Sequence, residues 1–310
     1  MASRAQPLTT TDVVRKNLIG RRVDLRSTLF EGVLVLMLLF SLAILVTLMS
    51  DVLRTGMGVF TSRGGEFLQS SLSSLAERAG VAQGIVGSLL MMVFVVVVAF
   101  PLGIGAAVYL EEYAPDTKLT RFIDVNIRNL AGVPSVVYGL LGLFLFVEVL
   151  RESTGGRSIL SGGLTLAILV LPIVIITSAE ALRAVPNSIR EAGFGVGATR
   201  WEVVRSHVLP SAAPGILTGT VLSLARALGE TAPLLLVGAV TGFLATGEQT
   251  LLEQVRGPYV SLPTIIFQWA RQPDTDFQAL TAAAIIVLMG VILVANASAI
   301  ILRNRYDRKW

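Results

Sequence analysis

Long apolar runs separated by short polar stretches dominate this chain. Residues 85–110 carry no charge and are long enough to cross a bilayer core of about 30 Å. Residues 279–302 form a second such run, and 32–50, 130–147 and 160–179 are also apolar and long enough. A further stretch, 214–245, is apolar except for Arg226 and Glu230. The pattern predicts about six membrane-spanning helices. Two other segments are broken. Residues 251–270 contain Gly257, Pro258 and Pro263, which predicts a short helix or re-entrant element on the outer face. Residues 61–83 are Ser-rich and carry Glu66, Glu77 and Arg78, which predicts a short surface helix.

Composition supports a membrane protein. The chain has 310 residues, 53% hydrophobic and 15% charged, with a mean hydropathy of +0.73; a soluble domain carries about 25% charged residues. There is no cysteine, which excludes disulfides and thiolate metal sites. His207 is the sole histidine and cannot build a histidine metal site alone. The pI near 9.7 does not indicate nucleic acid, because the basic residues sit at the ends of apolar runs rather than on one patch.

Charge asymmetry sets the expected orientation. Arg4, Arg15, Lys16, Arg21, Arg22 and Arg26 precede the first run, and Arg303, Arg305, Arg308 and Lys309 follow the last. Both ends are expected in the cytoplasm. Residues 1–26 are polar, and the following apolar run has no small-residue cleavage site, so they read as a cytoplasmic tail before a retained helix. The loop 181–210 carries Arg183, Arg190, Arg200 and Arg205 and is also expected inside. The loop 246–277 has more acids (Glu248, Glu253, Asp274, Asp276) than bases (Arg256, Arg271) and is expected outside. Six spans satisfy all of these; the mixed-charge loop 111–128 falls inside by alternation.

The inner loop holds EAGFGVGATRWEVVRSHVLP. Residues 191–196 and 200–208 can form two short helices around a turn at Gly197, where glycine permits a positive φ or a close approach. On its own this is a helical elbow or an ordinary amphipathic loop. Glu191, Ala192, Gly193, Gly197, Leu209 and Pro210 stand at the spacing of E-A-A, three residues, G, nine residues, I, any residue, L-P. The string resembles the EAA loop of bacterial ABC-importer permeases, with Gly193 in place of the second alanine and His207 in place of the isoleucine. The resemblance implies a knob that docks in a groove of a cytoplasmic ATPase, with His207 packing at that contact. The chain has no G-x-x-x-x-G-K-[ST], and its lysines (Lys16, Lys118, Lys309) lie in no Gly-rich loop. ATP and Mg are therefore expected on a partner chain, with no cofactor and no metal in this one.

Arg226 and Glu230 are the candidate substrate chemistry. A charge at the bilayer centre costs about 2.5–3.5 kcal/mol on insertion scales and needs a partner or a task. At i,i+4 the two share a helix face, with Gly229 between them and Pro233 a turn on. The guanidinium offers a planar fork to phosphate-like oxygens, and the acid can hold it while the site is empty. The alternative is an intrahelical salt bridge that only lets both charges survive. Ser135, after Gly132–Val133–Pro134, either marks a plain helix start or faces a central cavity with free N–H groups.

The strings ARALGETAPLL, NLAGVPSVVYGLLGL (129–143) and SLPTIIFQWARQP (261–273) resemble the PstA family of phosphate ABC permease subunits, over roughly residues 84–302. R-x-x-x-E-T is shared with the partner permease family, PstC; the other strings favour PstA. The resemblance implies that Arg226 lies on a phosphate pathway, beside Glu230 and Thr231. It also implies an all-α fold of six transmembrane helices, the type I ABC-importer (MetI-like) permease, in the bacterial inner membrane. The expected organisation is a tail 1–28, a first helix 29–54, an extracytoplasmic segment 55–83, a core 84–302 with the coupling loop 181–210, and a tail 303–310. The implied partners are a PstC-like permease, a PstB-like ATPase dimer, a PstS-like phosphate-binding protein and membrane lipid. The alternatives are a permease for sulfate or molybdate, an ion-coupled secondary transporter with Glu230 as proton site, and a non-transporting membrane sensor or scaffold.

Overall fold

The computed structural model describes residues 25–239 and 255–306. Arg4, Arg15, Lys16, Arg21, Arg22, Glu248, Glu253, Arg308 and Lys309, on which part of the expected orientation rests, lie outside the described residues. Among the described residues there are helices and no strand. The chain divides into two compact units, Met1–Asp51 and Val52–Trp310.

The described part of the first unit is the start of α1 (Leu25–Arg63), with Leu34, Leu38 and Leu45 exposed, as suits a helix in lipid. The helix itself continues past residue 54 to Arg63, since single glycines at 56 and 58 are tolerated and neither a proline nor paired glycines occur before Gly64–Gly65.

The second unit continues with α2 (Glu66–Gln69), α3 (Ala82–Tyr113), α4 (Lys118–Ala131), α5 (Ser135–Val149), α6 (Arg151–Thr154), α7 (Ile159–Arg183), α8 (Asn187–Gly195), α9 (Arg200–Gly229), α10 (Ala232–Val237), α11 (Leu262–Trp269) and α12 (Thr275–Tyr306). The short α2 and α11 fall in the two broken segments. α1, α3, α7, α9 and α12 are each long and apolar enough to span, and α4 with α5 makes a sixth if the pair is taken as one.

That pair corrects the reading of 130–147 as one run. The chain turns by 101° between α4 and α5. Pro134, just before α5, has an extended ψ of 137° and no N–H with which to continue a helix. The Tyr138 hydroxyl donates to the Leu130 carbonyl at 2.9 Å and pins the corner. α4 is amphipathic in an unusual sense: Leu119 and Phe122 are exposed, while Asp124 reaches toward Arg183 of α7.

α7 is the buried centre of the unit, with Val170, Val174 and Leu182 fully enclosed. α3 meets it where Gly103 faces Val174, and α9 where Gly215 and Gly219 face Ala181 and Thr177. The small residues at i,i+4 on α9 let the two backbones approach, as membrane helices require when no water drives them together. α12 packs on α9, and α11 on α12. Pro101 costs α3 little, because it follows a stretch of π-helix at Val95–Ala99 where the hydrogen-bond ladder is already displaced.

Candidate functional site

Two sites stand at different places in the second unit. The first is a break in a helix. α9 ends at Gly229, Glu230 is extended (φ −76°, ψ 123°), and α10 begins two residues later with Pro233 in its first turn. Arg226 lies in the last turn of α9, where the helix dipole favours a cation. Its Nε donates to Glu230 Oε1 at 3.3 Å. Glu230 therefore does not sit on the same helix as Arg226; it follows the helix end and folds back to it. The contact is single rather than bidentate, and the arginine side chain remains 47% exposed against 16% for the glutamate. Among the described residues only Nε of Arg226 is seen to donate, and the guanidinium edge carries further donors that suit the oxygens of a tetrahedral oxyanion.

α5 closes one side of the break. A Cβ on Gly139 would lie 2.6 Å from Pro233 Cα and 2.9 Å from Leu236 Cδ1, so α10 rests directly on the α5 backbone. One residue earlier, Tyr138 is buried, with its hydroxyl on the Leu130 carbonyl. Ser135 sits a turn before Tyr138, half-buried, and no side chain caps the N-terminus of α5. Arg226, Glu230 and Thr231 thus share the break, and Ser135 begins the helix that flanks it.

The second site is the elbow. α8 and the start of α9 are two short helices around Gly197, whose φ is +84°. That conformation costs an ordinary residue about 1–2 kcal/mol. The Gly197 N–H donates to the Phe194 carbonyl at 3.0 Å and the Ala198 N–H to Gly193 at 3.1 Å, which closes the end of α8. Thr199 and Glu202 form a capping box that opens α9. Gly193 is buried with its would-be Cβ 2.7 Å from Val203 Cγ2, so an alanine would collide with the second helix. Glu191, Ala192, His207 and Pro210 are exposed, and Leu209 is half-buried.

Sequence reasoning missed two features here. Phe194, Val196 and Trp201 are exposed on the knob at 48%, 85% and 55%, an apolar tip in a polar loop. Their signal was present as large apolar residues within the motif. The other feature is a set of ion pairs beneath the knob. Arg183 forks onto Glu111 at 2.6 and 2.8 Å, and Arg190 forks onto Glu112, with a shortest contact of 2.6 Å. These partners lie 72 and 78 residues apart in sequence, and no local pattern announces them.

Residues 99–308 match the family model of the binding-protein-dependent transport system inner membrane component. The chain belongs to that family. The permease is 36% identical to the phosphate transport system permease protein PstA of Xylella fastidiosa over 231 residues, which cover 74% of this chain and 77% of the relative. It is 34% identical to the probable ABC transporter permease protein YqgI of Bacillus subtilis over 200 residues, 64% of this chain and 66% of the relative. Among solved structures, a chain of a bacterial alginate ABC transporter in complex with alginate pentasaccharide-bound periplasmic protein superposes with a TM-score of 0.64. The identity is 16%, covering 88% of this chain and 93% of that one. A chain of the inward-facing MetNI methionine ABC transporter gives 0.55 at 18% identity, covering 74% and 98%. The fold is that of the type I ABC-importer permeases, and the protein is a multi-pass inner-membrane permease rather than an enzyme.

Proposed function

We propose that this permease is one half of the translocation pathway of an ATP-driven importer of inorganic phosphate. The observation that carries the reading is the helix break at Arg226–Glu230–Thr231. A permanent cation whose terminal nitrogens donate to no described residue stands at a helix end, inside a segment with no other charge but Glu230, in a chain whose relatives are named phosphate transport permeases. An exposed arginine does not face lipid tails; it faces a polar cavity. Arg226 receives the phosphate oxygens. Glu230 holds the guanidinium between cycles and accepts a hydrogen bond from a protonated phosphate. Thr231 and Ser135 supply neutral polar contacts along the same path.

The elbow transmits the work. Glu191, Ala192, Gly193, Gly197, His207, Leu209 and Pro210 form or shape the knob, and exposed Phe194, Val196 and Trp201 suit a partly apolar groove on an ATPase. ATP and Mg are held by that partner, a PstB-like dimer. One chain gives half a cavity, so a PstC-like permease completes it, and a PstS-like binding protein delivers phosphate from outside. Both termini lie in the cytoplasm, on the elbow's side. Closure of the ATPase moves the elbow, and the helices rock between outward-open and inward-open states around the break.

The test is uptake of labelled phosphate by vesicles holding the assembled complex, with sulfate and molybdate as competitors. Phosphate uptake that depends on ATP and resists both competitors supports the reading. Uptake blocked by sulfate or molybdate would reassign the substrate.

A further inference from the structure

The two acids at the end of α3 receive one arginine each from the two sides of the α7–α8 turn. Arg183, the last residue of α7, forks onto Glu111. Arg190, on α8 and adjacent to Glu191, forks onto Glu112, with Nη2 at 2.6 Å from Oε1 and Nε at 3.2 and 3.3 Å from the two oxygens. The rest of the Arg190 fork is used as well. Nη1 donates to the Val185 carbonyl at 2.8 Å and Nη2 to the Leu182 carbonyl at 3.0 Å. Arg200, across the elbow, lies over the Tyr113 ring at 5.5 Å.

Burial separates these pairs. Glu112 is 7% exposed and Arg190 18%, whereas Arg183 is 47% exposed. A desolvated charge pair costs free energy to bury and is a poor device for stability alone; it is strong in holding one geometry, and breaking one partner leaves the other charge uncompensated. The elbow is already joined covalently to α9, since its second helix runs on into that span. The Glu112–Arg190 pair joins the same elbow to a second span, α3, which is 78 residues away in the chain.

We infer that Glu112 and Arg190 are positioning residues that make the end of α3 move as one body with the coupling elbow. Elbow motion then enters the bundle at two points, directly through α9 and by this ion pair through α3. Both of these helices pack on α7, so α7 is carried from two sides rather than pushed at one edge. The inference rests on the ATPase-coupling role proposed for the elbow.

The test uses spin labels in the assembled complex, because this chain has no cysteine to remove. One pair, Tyr109→Cys with Ser188→Cys, reads the exposed end of α3 against the elbow. A second pair, Gln69→Cys with Ser188→Cys, reads the elbow against the far end of the bundle. In the otherwise unaltered protein the second distance changes between nucleotide-free and vanadate-trapped states, while the first stays single and unchanged. In Glu112→Gln the first distance shifts and broadens between the two states. Substrate moved per ATP hydrolysed then falls roughly twofold to thirtyfold, the size of effect that mutations along a coupling route produce, while hydrolysis persists. Arg190→Lys keeps the charge but loses the fork and gives the same result, which covers the case in which Glu112→Gln does not assemble. A moving elbow with an unchanged first distance and unchanged stoichiometry in these variants overturns the clamp alone. An elbow that is static against the far end in the unaltered complex overturns the coupling role itself, and the clamp with it.

Discussion

Replacing Gly139 by alanine tests whether the helix break depends on direct backbone contact with α5. The new Cβ would stand 2.6 Å from Pro233 Cα and 2.9 Å from Leu236 Cδ1. Carbon atoms that do not share a bond settle at about 3.5–4.0 Å. The leucine methyl can rotate away, but the proline backbone cannot, so α10 must retreat by roughly 1 Å. Overpacking of this kind costs about 1–3 kcal/mol, partly offset by up to about 1 kcal/mol of helix propensity gained over glycine. Gly105→Ala is the matched control. Gly105 also lies within a helix, and its Cβ would meet nothing within 4 Å, so it takes the propensity gain without the clash. The difference between the two variants isolates the packing cost at about 1–3 kcal/mol. The assay is the thermal midpoint of the purified complex, with uptake measured on the same preparations. Gly139→Ala should melt below Gly105→Ala and transport less, because Glu230 and Thr231 move with the start of α10. If the two variants melt together and both transport as the unaltered protein does, the contact does not position the break.

Three further outcomes follow from the elbow. Gly193→Ala, which restores the alanine of the family pattern, should weaken the knob through its 2.7 Å approach to Val203, and adding Val203→Ala should restore thermal stability; a single variant as stable as the unaltered protein would refute the clash. Thr199→Ala removes a capping box and should destabilise the start of α9 by about 0.5–2 kcal/mol, read as faster amide exchange over residues 199–203. Glu191→Lys should leave the chain inserted yet separate ATP hydrolysis from transport, and normal coupling would remove Glu191 from the ATPase contact.

The spans were legible because an uncharged run of sufficient length has few alternatives in a membrane protein. Residues 85–110, 160–179 and 279–302 each lie within a single long helix, α3, α7 and α12. Residues 130–147 misled for the same reason: the run is uncharged throughout, yet Pro134 ends one direction and starts another. The position of the proline was visible, but the 101° turn also depends on the Tyr138–Leu130 hydrogen bond, which belongs to the folded chain. The break after Arg226 was partly legible in Gly229 and Pro233. Only the structure places Glu230 beyond the helix end and shows a single contact from the arginine's Nε among the described residues. The departure at Gly193 from the family pattern matches the close packing of Val203, ten residues later. Glu111 and Glu112 read only as part of a mixed-charge loop, since the arginines that neutralise them arrive from α7 and α8.

The most direct measurement is phosphate uptake by vesicles holding the assembled complex, comparing the unaltered chain with Arg226→Gln and checking assembly on the same samples. Intact assembly with uptake lost places Arg226 on the anion's path. Intact assembly with unchanged uptake would make the Arg226–Glu230 pair a structural bridge across the helix end and contradict the account.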